Sequence, residues 1–181
     1  MAQKPALVVF LGDLGTTPVE HMVGAARRAA TLDSIEAALS SAAFERAIIA
    51  SDQAYQPGLP GLEVDLDDVP FHFGRRLASV IRRYNLASAV YLGGGSMPLL
   101  DSHGLKWIAR ALGTGRALTN NRFSSDLVAF PVREGVSEAI ESVDRDNTLA
   151  RALEEKAGLT VAELPRTLET QMDIDSPSDL A

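Results

Sequence analysis

The chain has 181 residues, 46% of them hydrophobic, no cysteine, and a formal net charge of -7. That length suits one domain able to bury roughly 70% of its unfolded surface, and the missing cysteines exclude disulfides, thiolate metal sites and cysteine catalysis. The acidic balance argues against a nucleic-acid surface, which relies on clustered basic charge. No apolar run approaches the ~18 residues of a membrane helix, so a cytoplasmic protein that meets neither nucleic acid nor membrane is expected.

Ala6–Leu11 is a continuous apolar run ending at Gly12, the pattern of a buried parallel strand. Thr17-Pro18 offers an N-cap with proline at the first helical position. From Thr31, the spacing of Leu32, Ile35 and Leu39 predicts an amphipathic helix. Arg46–Ser51 is a second strand ending at Asp52. Tyr55–Pro70 reads as a loop with a short strand near Leu62–Leu66. Phe73–Tyr84 is a helix with Leu77, Val80, Ile81 and Tyr84 on one face. Ala87–Leu92 is a third strand running into Gly93-Gly-Gly95.

Leu105–Leu112 is a helix carrying the single tryptophan, Trp107, and Gly113–Gly115 is a turn. Asp126–Pro131 reads as an edge or late strand because proline ends it. Val136–Ser142 and Thr148–Ala157 read as helices, the second closed by Gly158. Thr167–Ile174 is the expected last strand. It would deliver Asp173 and Asp175 at a strand end, before a helix-starting Ser176-Pro-Ser-Asp179 turn.

Alternating strands and helices predict an α/β domain, a mostly parallel sheet covered on both faces. Ligands bind such sheets beyond the carboxyl ends of the strands. The polar clusters Gly12–Thr17, Ser51-Asp52, Gly93–Ser96 and Asp173–Asp179 all follow apolar runs, which points to a small-molecule site there.

Gly12-Asp-Leu-Gly-Thr-Thr17 follows the first strand, where glycines and a helix N-terminus suit an anion. It matches neither the dinucleotide-binding nor the P-loop fingerprint. Asp13 would repel a phosphate if it pointed inward, and an ordinary strand-to-helix turn is the plainer alternative. The three glycines of Gly93–Gly95 imply a tight bend or a close approach to a ligand. Ser96 does not sit in a G-x-S-x-G nucleophile elbow, because Pro98 occupies the last position.

His21, His72 and His103 lack metal-binding spacing. Arg27 and Arg28 either lie on a solvated face or reach phosphates at the mouth of the first strands. The polar segment Thr119–Asp126, with Asn120, Asn121, Ser125 and Asp126, either forms side-chain turns or lines a pocket.

Taken in order, the glycine-rich turn after the first strand, Tyr91-Leu-Gly-Gly-Gly-Ser-Met-Pro-Leu-Leu100 and Asp173-Ile-Asp-Ser-Pro-Ser-Asp-Leu180 resemble nucleotidyltransferases of the nucleotide-diphospho-sugar transferase (GT-A-like) fold. The nearest branch comprises the molybdenum-cofactor nucleotidyltransferase-like and phospholactate guanylyltransferase-like enzymes. The resemblance implies a three-layer α/β/α, Rossmann-like mixed sheet. It also implies transfer of a nucleoside monophosphate from an NTP to a small phosphate- or hydroxyl-bearing acceptor, with Mg²⁺ or Mn²⁺ and release of pyrophosphate.

By this resemblance Gly12, Gly15, Thr16 and Thr17 would hold the triphosphate. Arg27, Asp52, Gly94, Gly95, Ser96, Asn120, Asn121, Ser125 and Asp126 would line the nucleotide and acceptor sites. Asp173 and Asp175 would bind the metal. Asp175 and Arg28 would serve catalysis, and Asp179 would cap the terminal helix.

Two departures stand out. The first loop lacks the family's Leu-Ala-Ala-Gly-x-Gly-x-Arg-Met-Gly and its following lysine, a role open to Arg27 or Arg28. Ser96 falls where the family's Gly-Asp-x-Pro-Leu-Leu pattern has its mid-chain carboxylate. A carboxylate about 4 Å from a cation contributes on the order of 4 kcal/mol per unit charge product at an effective dielectric near 20, which a hydroxyl does not replace. The alternative is a non-catalytic nucleotide- or metabolite-binding relative that has lost the metal. The chain ends where the family's last helix begins, so the terminal motif is expected to be loosely held. Oligomeric state is left open, a homodimer included.

Overall fold

The computed structural model describes residues 3–12, 15–54, 57–67 and 70–180. The expectation for Asp13 therefore lies outside the described residues, as do Tyr55, Gln56, Asp68 and Val69 of the predicted loop.

Seven strands form one mixed sheet in the order β3-β2-β1-β4-β6-β5-β7. They are β1 Ala6–Phe10, β2 Arg46–Ser51, β3 Leu62–Leu66, β4 Ser88–Gly93, β5 Ala117–Thr119, β6 Leu127–Pro131 and β7 Val161–Glu163. β1 pairs in parallel with β2 and β4, and β2 with β3. β6 runs antiparallel to both β4 and β5, and β7 returns parallel to β5. The order reverses between β1 and β4, so their carboxyl ends flank the crevice where open α/β sheets bind ligands.

The helices are α1 Pro18–Ser40, α2 Phe73–Arg83, α3 Ser102–Ala111, α4 Val136–Glu141, α5 Leu149–Glu155 and α6 Leu168–Gln171. β1 is buried throughout, and its alternating side chains feed two separate cores. Leu7, Val9 and Leu11 pack with Ile35 of α1 and Leu105 and Ile108 of α3. Ala6, Val8 and Phe10 pack with Leu77 of α2, Ile140 of α4 and Leu153 of α5. This is the three-layer α/β/α arrangement, and the period-two alternation of a doubly covered strand produces it. Among the described residues no helix is long and apolar enough to cross a membrane.

Four expectations are corrected. The helix signals at Thr17 and Thr31 belong to one 23-residue helix, α1, which tolerates Gly24 in its interior. β6 is an internal strand, not an edge. Its proline is harmless because β5 pairs only with Val128 and Ala129, leaving Pro131 beyond its reach. β5 and β7, three residues each, were not predicted.

The predicted strand Thr167–Ile174 is also absent. Thr167 and Thr170 form a reciprocal cap that starts α6, so the apolar alternation of that stretch is broken by a helical turn. Only Asp173 retains strand character, in a single antiparallel bridge to Ser96.

Candidate active site

The crevice is built around the bend after β4. The N–H of Gly93 donates to the Asp126 carbonyl at 2.8 Å, that of Gly94 to the Phe10 carbonyl at 2.8 Å, and that of Gly95 to Thr31 Oγ1 at 3.2 Å. A Cβ on Gly94 would sit 2.7 Å from Leu11 Cδ1, and one on Gly95 2.7 Å from Arg27 Cγ, with φ already at +87°. The glycines are therefore required by packing against β1 and α1. Gly94, Gly95 and Ser96 are buried and their amides are committed within the protein.

The terminal segment docks on this bend. Met97 N–H donates to the Met172 carbonyl at 2.9 Å, and Ile174 N–H to the Gly95 carbonyl at 3.2 Å. Ile174 is buried. Contrary to expectation, the motif is tied down up to this point. Asp179 acts as a cap, accepting from the amides of Asp175 and Ser176 at 3.0 and 2.7 Å.

Ser96 Oγ donates to Asp173 Oδ1 at 3.1 Å, and the Ile174 amide donates to the same oxygen at 2.9 Å. Despite these two bonds the Asp173 carboxyl is pushed up to about 6. Burial is the largest cause, followed by the charges of Asp175 and Asp126. Asp126 is raised as well, by burial and by Asp146 and Asp175, against a stabilising bond from Asn120. Four carboxylates thus press on one another at this end of the sheet. Among the described residues no three of them are close enough to form a ready-made metal cage.

The nearest cation is Arg27. Its Nε donates to the Gly94 carbonyl at 2.8 Å, and its Nη1 lies 4.0 Å from Asp175 Oδ1. With Asp175 largely exposed, that ion pair contributes little. Arg28, named from the sequence for catalysis, is exposed and folds back along α1 over Gly24. The structure puts Arg27, not Arg28, at the bend.

The start of α1 holds its own anion. Glu20 accepts from the amides of Thr16 and Thr17 at 3.1 and 2.8 Å and from Thr17 Oγ1 at 2.8 Å. Gly15, at φ +118°, packs against the same carboxylate. Glu20 thus fills the amide cradle predicted for a phosphate, completing a capping box. Gly12 is exposed at the end of β1 with open space around it.

Beside Gly12, the carboxyl ends of β1 and β2 enclose a cavity of about 270 Å³ bounded by Phe10, Ser51, Asp52, Asp67 and Phe71. Arg76, a buried residue of α2, binds both Asp67 and Asp65 and fixes this wall. The predicted Asp52 is at this cavity, one strand removed from the acidic cluster.

The predicted polar segment splits. Asn120 Oδ1 accepts from the Asp126 and Leu127 amides at 3.1 Å each, and Asn120 Nδ2 donates to Asp126 Oδ2 at 2.9 Å. Ser125 Oγ donates to the Asn121 carbonyl at 3.0 Å, and Asn121 Oδ1 accepts from Phe123 N–H at 3.0 Å. Asn120, Asn121 and Ser125 are therefore engaged in the loop's own turn. Asp126 reaches the cluster, with Asn120 bonded to it.

Two residues went unnoticed in the sequence. Asp146 accepts from the buried Tyr91 hydroxyl at 2.9 Å and bears on Asp126. Glu20 occupies the cradle. Neither carries a local signal beyond the capping-box spacing of Thr17 and Glu20.

Neither a family model nor a curated protein matches the chain. Solved structures do match along nearly its whole length. A nucleotidyl transferase from Methanothermobacter superposes with a TM-score of 0.68 at 16% identity, covering 99% of this chain and 95% of that one. A cytidylyltransferase from Leptospira borgpetersenii gives 0.62 at 18% identity over 97% and 79%. A Mycobacterium tuberculosis protein solved in complex with manganese gives 0.61 at 16% identity over 99% and 97%. The chain has the nucleotide-diphospho-sugar transferase-like fold of the nucleotidyltransferases.

Proposed function

From a nucleotidyltransferase fold whose carboxylates gather at the β1–β4 switch point, we propose that this protein transfers a nucleoside monophosphate from an NTP to a small phosphate- or hydroxyl-bearing acceptor. The observation that carries this reading is the convergence of Asp173, Asp175 and Asp126 with Arg27 around the Ser96 bend. An oxygen of the acceptor attacks the α-phosphorus in line. The new P–O bond forms as the bond to the β-phosphate bridging oxygen breaks, and pyrophosphate leaves.

The nucleoside end fits the cavity between the ends of β1 and β2, where the exposed ring of Phe71 offers a stacking face. Arg27, anchored on Gly94, supplies positive charge near the phosphates. A phosphate acceptor needs no general base.

The residues present fit a divalent cation of the magnesium or manganese type. Asp173 has one oxygen engaged by Ser96 and Ile174 and is destabilised by its acidic neighbours, a crowding that a cation relieves. Mg²⁺ is commonly held by one or two carboxylates plus substrate phosphates. Asp173 and Asp175 would hold it, and when bound it would neutralise charge building on the phosphates. The manganese complex of the Mycobacterium tuberculosis relative supports this choice of ion.

A second reading is favoured by Ser96 in the carboxylate position and by Glu20 in the cradle. It makes the protein a binder of nucleotide or metabolite without catalysis. Thermal shift with each of four NTPs, with and without Mn²⁺, separates the two. Stabilisation by one NTP only when Mn²⁺ is present supports the transferase. Equal stabilisation without metal supports a nucleotide binder, and no shift with any NTP rejects the transferase and the nucleotide binder alike. A ligand at 100 times its Kd adds roughly 2.7 kcal/mol, well within detection.

A further inference from the structure

A second concavity lies at the opposite end of the sheet. The amino ends of β1 and β4, the residues after α1, and the last turns of α3 enclose a groove of about 810 Å³. That is in the range of small-molecule sites. Its lining combines apolar residues, among them Ala42, Ala109 and Pro131, with the cations Lys4, Lys106 and Arg110. Lys106 and Arg110 are four residues apart on α3 and so share a face.

The charge of this groove runs against the rest of the molecule. The chain carries a net charge of -7, yet the groove is lined by three cations and no carboxylate. Among the described residues Lys4, Lys106 and Arg110 face no carboxylate within ion-pair distance, and no acidic side chain lines the groove to neutralise them. Glu45, close by, is taken by Gln3 and Arg46.

An apolar lining shared with cations that face no carboxylate matches one chemistry, and we infer that this groove binds a small amphiphilic organic anion: an apolar body ending in a carboxylate, sulfonate or phosphate. The anionic group meets Lys106, Arg110 and Lys4, and the body covers the alanine and proline surface. Charge-assisted bonds to the acid group give orientation, and apolar burial gives affinity. The site is separate from the acidic rim and does not depend on nucleotide chemistry.

Two fluorescent probes with one body test this: 1-anilinonaphthalene-8-sulfonate and the uncharged N-phenyl-1-naphthylamine. The intact chain is expected to bind the sulfonate at one saturable site. Lys106→Glu with Arg110→Glu should raise its Kd at least tenfold and leave the neutral probe within twofold. Gly113 borders the groove, has open space around it and no positive φ, so Gly113→Phe should weaken both probes. If the charge reversal does not fold by circular dichroism, Lys106→Gln with Arg110→Gln decides, with an expected loss of about threefold. An unchanged sulfonate Kd in the folded charge variants, or no saturable binding to the parent chain, overturns the inference.

Discussion

Ser96 and Asp173, 77 positions apart, are joined by a 3.1 Å hydrogen bond across the one bridge that ties the terminal segment to the sheet. The hydroxyl stands where a second carboxylate is expected from the family resemblance, and it donates to the carboxylate that is present. Ser96→Asp would set two buried carboxylates against each other. Without metal, melting should fall by on the order of 4–8 °C, equivalent to about 2 kcal/mol for a chain this size. Mn²⁺ should restore most of that loss and bind tighter than to the parent chain, as calorimetry with nucleotide would show. Unchanged or weaker Mn²⁺ affinity would mean that Ser96 does not mark the vacated position.

Asp173 gives a pH signature. Its carboxyl titrates near 6 in the folded state, against about 3.9 unfolded. Below about pH 4 it is protonated in both states. As pH rises from 4 to 6 the unfolded chain releases the proton first, so folding stability falls, and above 6 the penalty is constant. Asp173→Asn keeps an acceptor for Ser96 and Ile174 but carries no charge. It should therefore raise folding stability at pH 8 by about 1–2 kcal/mol after discounting solvent screening, seen as a higher melting temperature, and change it little at pH 4. Thermal melts of both proteins across pH 4–8 check this.

Arg27 and Arg28 should separate cleanly. Arg27→Gln removes the bond to the Gly94 carbonyl and a cation at the bend. Stability should fall by about 1 kcal/mol and NTP affinity by tenfold or more. Arg28→Gln should leave both within the scatter of a surface substitution, about 0.5 kcal/mol. Equal losses in nucleotide titrations of the two variants would remove the preference for Arg27.

Gly94→Ala tests the packing of the bend. The added methyl would meet Leu11 Cδ1 at 2.7 Å and the Phe10 carbonyl at 2.8 Å. Denaturant unfolding should show a loss of about 2–3 kcal/mol.

Much of the architecture was legible in advance because long apolar runs and caps are local signals. β1, β2, β4 and α2 fall within a residue or two of their predicted limits. β5 and β7 were not, since three residues carry no period, and their pairing is decided by the strands beside them. The Thr167–Ile174 alternation misled because the Thr167–Thr170 cap, with Thr170 Oγ1 also donating to the Pro165 carbonyl, outweighed it.

The site divides in the same way. The Gly93–Ser96 bend could be read as a strand-end cluster, and the Asp173–Asp175 pair lies beside it although no strand delivers it. Which of two adjacent arginines faces the bend could not, because they point about 100° apart on α1 and only the packed helix fixes its rotation. Asn120 carries a second ambiguity. A pocket-lining amide and a turn-forming amide look identical until their hydrogen bonds are counted.

The most direct test of a cation-assisted site is manganese anomalous scattering from crystals grown with Mn²⁺ and a nonhydrolysable NTP. The expected result is a peak within about 2.0–2.5 Å of Asp173 or Asp175 oxygens, with the nucleotide across the ends of β1 and β4. Nucleotide bound elsewhere, or manganese lying away from both aspartates, would contradict it.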